Sequence, residues 1–400
     1  MRLIHVDTLE LKLFNDSELP EYAILSHTWG NEEITLQDML EIEKLKQMSK
    51  ILTDQAAFTN QTTLAFDPHL MFPAFQLLFN GEYSNAVQEA FTNSERWFTG
   101  RSGYMKIVKC AEKAKSLGIP YIWVDTCCID KTSSAELQEA INSMYRYYKN
   151  ASRCIVYLAD AMPFGPNITH SGRKHFRNVL ASSRWVTRGW TLQELIAPQS
   201  IRFYAQDWTY LCSKVSCMDE LSEVTGIPSA ILEIGDPSQA CVAQRMSWAS
   251  NRSTTRIEDT AYSLMGLFDI QMPMLYGEGE KAFIRLQEEI LKTSDDYSIF
   301  AWDLDEFGLS KYRGLLARSP AEFKLCGTYE RDDSLVGLEF PITSTNLGLH
   351  VQLEMRQHGP ENSVFIASLR TINSDKKRLG ILLKKLDNDN QYARIGKGFL

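Results

Sequence analysis

The sequence has no block of like charge, no Cys-x-x-Cys pair, no cleavable apolar leader and no apolar run long enough to cross a bilayer. Each absence removes a class of function. Lys and Arg number 42 against 50 Asp and Glu, a net charge of −8 with the two signs interspersed. Neither a nucleic-acid groove nor an anionic membrane patch is favoured, and small-molecule or protein partners are expected. The eight cysteines at 110, 127, 128, 154, 212, 217, 241 and 326 show no framework spacing. Zinc and disulfides are therefore disfavoured, and buried, reduced thiols are expected. The first ten residues lack an apolar core with a small-residue cleavage site, and the longest uncharged run, near 68–81, is short and carries two prolines. A cytoplasmic location is the expectation.

What is present is an ordinary globular composition, 44% hydrophobic and 23% charged over 400 residues, enough for two or three units with real cores. From Tyr22 to about Pro198 short apolar runs alternate with amphipathic helices, the pattern of βα units around a mostly parallel sheet. Strands are expected at Tyr22–Ser26, Tyr121–Asp125, Cys154–Leu158 and Ile201–Tyr204. Ser133-x-x-Glu136 reads as a capping box opening a helix that buries Leu137, Ile141, Met144 and Tyr148. A helix over Tyr104–Leu117 should stop at Gly118, where a left-handed residue carries no steric cost. Residues of about 41–100 break the rhythm and read as an insertion. Past Tyr210 the chain turns helical, with candidates opening at Ser216, at Glu258–Phe268 and at Glu280–Lys292, the last placing Phe283, Leu286 and Ile290 on one face. Leu349–Leu353, Val364–Leu369 and Leu379–Leu383 read as antiparallel strands. The implied units are 1–210, 211–302 (helical) and 303–400 (smaller, β-rich).

Three segments carry chemistry: Tyr22-Ala-Ile-Leu-Ser-His27-Thr-Trp29-Gly30, Tyr121-Ile-Trp-Val-Asp125-Thr-Cys-Cys-Ile-Asp-Lys131 and Trp185-Val-Thr-Arg188-Gly-Trp190-Thr-Leu-Gln-Glu194-Leu195. The first two are apolar strands with polar tips, and parallel strands place their carboxyl ends on one edge, where α/β sheets bind ligands. His27, Trp29, Asp125 and Cys127 are expected near one another on this topology. His27 suits a base or an orienting donor, or a satisfied hydrogen-bonding residue. Trp29 and Trp190 can stack a ring or plug a core. Arg188 can hold a pyrophosphate through its planar fork or form a salt bridge. Adjacent Cys127 and Cys128 read as packing residues rather than nucleophiles, and His27, Asp125 and Asp160 have no metal-site spacing.

Together these segments, in this order, resemble the fungal heterokaryon-incompatibility (HET) domain. The tract from Arg245-Met-Ser-Trp-Ala249 through Thr254-Thr-Arg256-Ile-Glu-Asp259-Thr-Ala-Tyr262 to Met272-Pro-Met-Leu-Tyr-Gly-Glu-Gly279 looks like the segment that follows the domain in many such proteins. The resemblance covers roughly residues 1–302, and the insertion at about 51–98 departs from it. It implies non-self recognition between fungal cells and a death reaction after fusion of incompatible hyphae, with self-association or another incompatibility protein as partner. A weaker similarity joins Ser134–Ser143, Cys154–Leu158 and Trp190-Thr-Leu-Gln-Glu194-Leu195 to TIR domains, with Thr191 where that family has cysteine. It implies a TIR-like, flavodoxin-like sheet and nominates Glu194 for splitting the nicotinamide–ribose bond of NAD, with His27, Trp29, Asp125, Arg188 and Trp190 as candidates for binding it. NAD would be a substrate, and no permanently bound cofactor or metal is implied. The alternative is a non-enzymatic death-signalling module acting through protein contacts, with Glu194 paired to Arg188 or the backbone. Since a constitutively active NAD hydrolase would kill its own cell, the regions after Tyr210 are expected to restrain or oligomerise the first domain.

Overall fold

The computed structural model describes residues 1–59, 93, 96–163, 170–303, 312–332, 334, 341–359, 363–386 and 391–395. By packing, the chain divides into two compact units, Met1–Leu25 with Trp29–Leu137, and Ser26–Thr28 with Gln138–Leu400. Strands β1 (Arg2–His5), β2 (Leu11–Leu13), β3 (Tyr22–His27), β4 (Tyr121–Trp123), β5 (Arg153–Tyr157), β6 (Ile201–Tyr204) and β7 (Tyr210–Ser213) belong to one sheet in the order β2-β1-β4-β3-β5-β6-β7. The pairs β3–β4 and β5–β6 are parallel, while β1, β2 and β7 pair antiparallel. The mixed α/β architecture with a parallel centre is thus the one the sequence implies. Its antiparallel margins are additions, because three- and four-residue edge strands leave little periodicity to read.

In the first unit β3 is buried along its whole length. Helix α1 (Leu36–Thr59) runs well into the expected insertion, of which 60–92, 94 and 95 lie outside the described residues, as does the 68–81 run. Helix α2 (Ser102–Ser116) buries Tyr104, Ile107, Cys110, Ala111 and Ala114, a single stripe at three- and four-residue spacing. It ends as expected: Gly118 sits at φ +76°, and the Gly118 and Ile119 amides donate to Lys115 O and Ala114 O at 2.9 and 3.0 Å. One expectation fails at β4, which stops at Trp123 instead of reaching Asp125. The Cys127 and Cys128 amides donate to Val124 O at 3.2 and 2.8 Å, so Asp125 opens a one-turn helix, α3 (Asp125–Cys128). The capping box before α4 (Ser134–Asn150) forms by half. The Glu136 amide donates to Ser133 Oγ at 3.3 Å, while the Glu136 carboxylate accepts from the Asp130 amide at 2.8 Å and from Arg2.

The second unit continues with helices α5 (His170–Ser182), α6 (Arg184–Thr187), α7 (Thr191–Ile196), α8 (Met218–Thr225), α9 (Ser229–Ile234), α10 (Val242–Ser247), α11 (Asp259–Tyr262), α12 (Met265–Phe268) and α13 (Lys281–Thr293). Helix α13 buries Phe283, Leu286 and Ile290 as its spacing predicts. The single helix expected over Glu258–Phe268 is instead two short ones, with the backbone drawn against Tyr145. A Cβ at Gly266 would lie 2.2 Å from Tyr145 Cβ. The β-rich tail is present, with β8 (Glu330–Arg331), β9 (Thr343–Thr345), β10 (Gly348–His350), β11 (Met355–Gln357), β12 (Val364–Ile372), β13 (Arg378–Lys385) and β14 (Tyr392–Arg394), the last four paired antiparallel in that order. Of the expected Leu349–Leu353 strand only Gly348–His350 forms, because its partner Thr343–Thr345 supplies three residues and no more. The thiol expectation also needs correction. Cys212 and Cys217 form a disulfide, the bend after β7 bringing their Cα atoms to 6.5 Å, while the other six cysteines are free and buried. Among the described residues no helix is long and apolar enough to cross a membrane.

Gly103 marks the tightest approach in the first unit: a Cβ there would stand 2.3 Å from Glu32 O and 2.8 Å from Glu33 Cα, both backbone. Gly103→Ala should therefore destabilise by about 1–3 kcal/mol, the range for overpacking a closed core. Urea unfolding would show a lowered midpoint, and an unchanged midpoint would mean that the Glu32–Glu33 turn yields freely.

Candidate functional site

The segment from Trp185 to Ile196 consists of the end of α6, a turn and α7, and is rich in anchors. Between α6 and α7 the chain turns at Arg188-Gly189-Trp190, and this turn is held by strand-like bonds to a distant segment. The Gly189 amide donates to Ser253 O at 2.9 Å, and the Ser253 amide donates to Thr187 O at 2.7 Å. Glycine is required there, because a Cβ at 189 would meet Thr254 Cγ2 at 2.5 Å. Thr191 Oγ1 donates back toward Trp185 O and Arg188 O at 2.5 and 3.0 Å. Arg252 crosses the same turn, with Nη1 donating to Arg188 O at 2.9 Å and to Thr191 Oγ1 at 3.0 Å. At the other end of α7, buried Lys214 donates to Pro198 O at 2.8 Å and Ile196 O at 3.3 Å.

Glu194 sits inside this frame, 8% exposed. Its Oε2 accepts a hydrogen bond from Ser26 Oγ at the end of β3, and Ser26 Oγ accepts from Trp185 Nε1 at 2.7 Å. Arg252 is the cation that feels this carboxylate. Burial pushes its guanidinium down to about 10, and its attraction to Glu194 opposes that shift. Arg188 is not engaged with Glu194 as the scaffold reading would have it; its Nη1 donates to Thr255 Oγ1 at 3.2 Å.

The other candidates divide between the units. In the second, His27 is buried, and Trp190 is half-buried with its indole lowering the Asp259 pKa. Burial raises the Asp259 carboxyl above the usual range, against the Tyr276 and Trp190 hydrogen bonds and the Arg256 charge. In the first, Trp29 is 50% exposed, donates from Nε1 to Asp125 Oδ2 at 2.8 Å, and carries Lys131 Nζ 3.7 Å above its ring. One face of that indole is thus already taken by an ammonium group. Cys127 is buried, and its thiol is raised well above the ordinary range, first by its hydrogen bond with Cys128 and then by burial. That is the profile of a packing residue, not of a thiolate nucleophile. Among the described residues no three His, Cys, Asp or Glu side chains cluster as metal ligands.

Sequence reasoning passed over Ser26 and Trp185, which lie within the motifs, and Arg252 and Asp259, which lie far from Glu194 along the chain. Only the Arg245–Tyr262 tract, similar in kind to that of other proteins, hinted at the last two.

Comparison with known proteins bears on this arrangement. The heterokaryon incompatibility protein (HET) family profile matches residues 101–167, and a domain of unknown function, DUF8212, matches 281–322. The vegetative incompatibility protein HET-E-1 of Podospora anserina is 37% identical over 299 residues, taking in 73% of this chain. The chain is a HET-domain protein. It spans 18% of the length of that relative. An aligned stretch covering 73% of 400 residues takes in the middle of the HET-domain chain, Glu194 and Arg252 included, wherever it begins. The profile match contains Asp125 and stops short of the Trp185–Ile196 segment. No solved structure matches the HET-domain chain.

Ser26→Ala should leave the buried Trp185 indole N–H without an acceptor and cost about 1–3 kcal/mol. A lower urea midpoint with an unchanged slope is the expected record, and wild-type stability would show that water takes over the bond. Lys214 sets a second test. Burial lowers its amine from 10.5 to about 8. Below pH 8 the folded and unfolded chains both hold the proton and the cost of the buried charge stands in full. Between about 8 and 10.5 the unfolded chain binds a proton that the folded chain has released, so this residue makes stability rise with pH across that window. Lys214→Met should flatten the stability curve there, and a curve parallel to wild type would reject the assignment.

Proposed function

We propose that this HET-domain chain acts in heterokaryon incompatibility, as a non-self recognition module whose activation kills the fused fungal cell. The observation that carries the reading is the 37% identity with an incompatibility protein over 299 residues. Because the chain spans 18% of that relative, the trigger and the partners are those of this module, and we assign it self-association or contact with another incompatibility protein.

The chemistry we assign is cleavage of the nicotinamide–ribose bond of NAD, centred on Glu194. Nicotinamide departs as a neutral molecule from a cationic pyridinium, so no general acid is needed, and one anionic carboxylate can stabilise the oxocarbenium-like transition state. The Ser26 hydrogen bond and the Arg252 charge support an ionised Glu194. Arg188, tied to the Thr255 hydroxyl, suits the pyrophosphate, and His27 and Trp190 of the same unit are the other groups we assign to dinucleotide binding. The burial of Glu194 makes this a resting state in which the ribose reaches the carboxylate after Ser26 swings away. The same burial favours a second reading, in which Glu194 is a strut and the chain signals through protein contacts without catalysis.

Induced expression of the wild-type chain and of Glu194→Gln at matched levels, with cellular NAD and viability followed in time, separates the two. NAD should fall before death in the wild type and hold in the variant. Death with NAD intact in both would remove the enzymatic reading and leave the incompatibility role standing.

A further inference from the structure

Outside the Glu194 frame, α5, α8 and the segment after α10 enclose a cleft of about 430 Å³. Its size falls in the range of about 300–1,000 Å³ typical of small-molecule sites. Two hydrogen-bond donors of residues in its lining have no acceptor among the described residues. Trp248 is 4% exposed, and its indole N–H has no acceptor among the described residues. Arg252 donates from Nε to Trp248 O at 3.2 Å and from Nη1 to the Glu194 turn, while its Nη2 donates to no described residue. The remaining charges of the lining, Arg177 and Glu223, neutralise one another at 2.9 Å. The lining thus contributes the Arg252 guanidinium, whose charge Glu194 also feels, and a buried N–H that lacks an acceptor, beside the amides of Asn178 and Asn251. A buried donor without an acceptor is costly, and a ligand acceptor would relieve it.

We propose that this cleft binds a small anion, the carboxylate or phosphate group of a metabolite-sized molecule, seated against the Trp248 indole and the Arg252 guanidinium. The same guanidinium holds Arg188 O and Thr191 Oγ1, so occupancy is felt at the turn that carries Glu194. The inference does not rest on NAD cleavage, and its test reads binding alone.

The full chain is titrated with inorganic phosphate and, separately, with succinate, each against sodium chloride at equal ionic strength, using calorimetry and thermal unfolding. Saturable binding with a Kd below about 10 mM is expected for at least one probe. Binding of phosphate alone identifies a phosphoryl ligand, and binding of succinate alone a carboxylate. Asn251→Asp and Asn178→Asp each place a negative charge in the cleft wall, and either should weaken binding at least tenfold while the unliganded unfolding midpoint stays put. No saturable binding of either probe, an equal response to chloride, or unaltered affinity in both variants would overturn the proposal.

Discussion

The arrangement around the candidate site depends on one constraint, a carboxylate held in a place with little water. Glu194 could not be held there by its own six-residue helix, since so short a helix has almost no cooperative stability of its own. The segment is held because a hydroxyl from β3 and an arginine from beyond the sheet bond to it, and a lysine bonds the carbonyls at the helix's far end. The same three supports fix the position of the carboxylate and limit access to it. Positional order and concealment are here the same set of bonds.

This bears on how the chain is organised. The profile match ends at residue 167, and a reading by motif alone would close the first domain near Tyr210. Yet Arg252, Ser253 and Asp259 clasp the Arg188–Thr191 turn. A chain cut near Tyr210 would lose that clasp, so a loss of toxicity on truncation says nothing about whether the later regions restrain the earlier ones. The tract from Arg245 to Gly279 is best regarded as part of the site's architecture. Its own order comes from Glu258, which accepts the Gly277 and Gly279 amides at 2.8 and 3.1 Å, and from Tyr276, whose hydroxyl donates to Asp259 Oδ1 at 2.9 Å.

Much of the fold was legible in the sequence, for identifiable reasons. Continuous apolar runs such as Tyr22–Ser26 and the clean stripe of α13 report strand and helix through periodicity alone, and Gly118 reports a helix end through its backbone freedom. Legibility failed where tertiary contacts set the outcome. Asp125 reads as a strand end because nothing local announces the turn at Val124, and the close packing of Gly266 on Tyr145, more than a hundred residues away, has no local signal either. The Cys212–Cys217 bridge depends on a bend that composition does not reveal. At the site, the motif residues could be named, but their partners could not. Ser26 looks like any strand-end serine, and Arg252 stands in an unremarkable Asn-Arg-Ser sequence until the fold sets it beside Glu194.

Arg394, at the end of β14, is 1% exposed, lies flat 3.7 Å from the Trp302 ring and donates to the carbonyls of Phe300 and Trp302. The last strand of the β-rich tail is thereby riveted to the end of the helical segment by a charge that has nowhere else to go. Recombination that replaced this tail with another would strip two buried carbonyls of their donor unless the newcomer brought an arginine to the same spot. The tail and the helical segment are therefore joined through a buried charge as one packing unit.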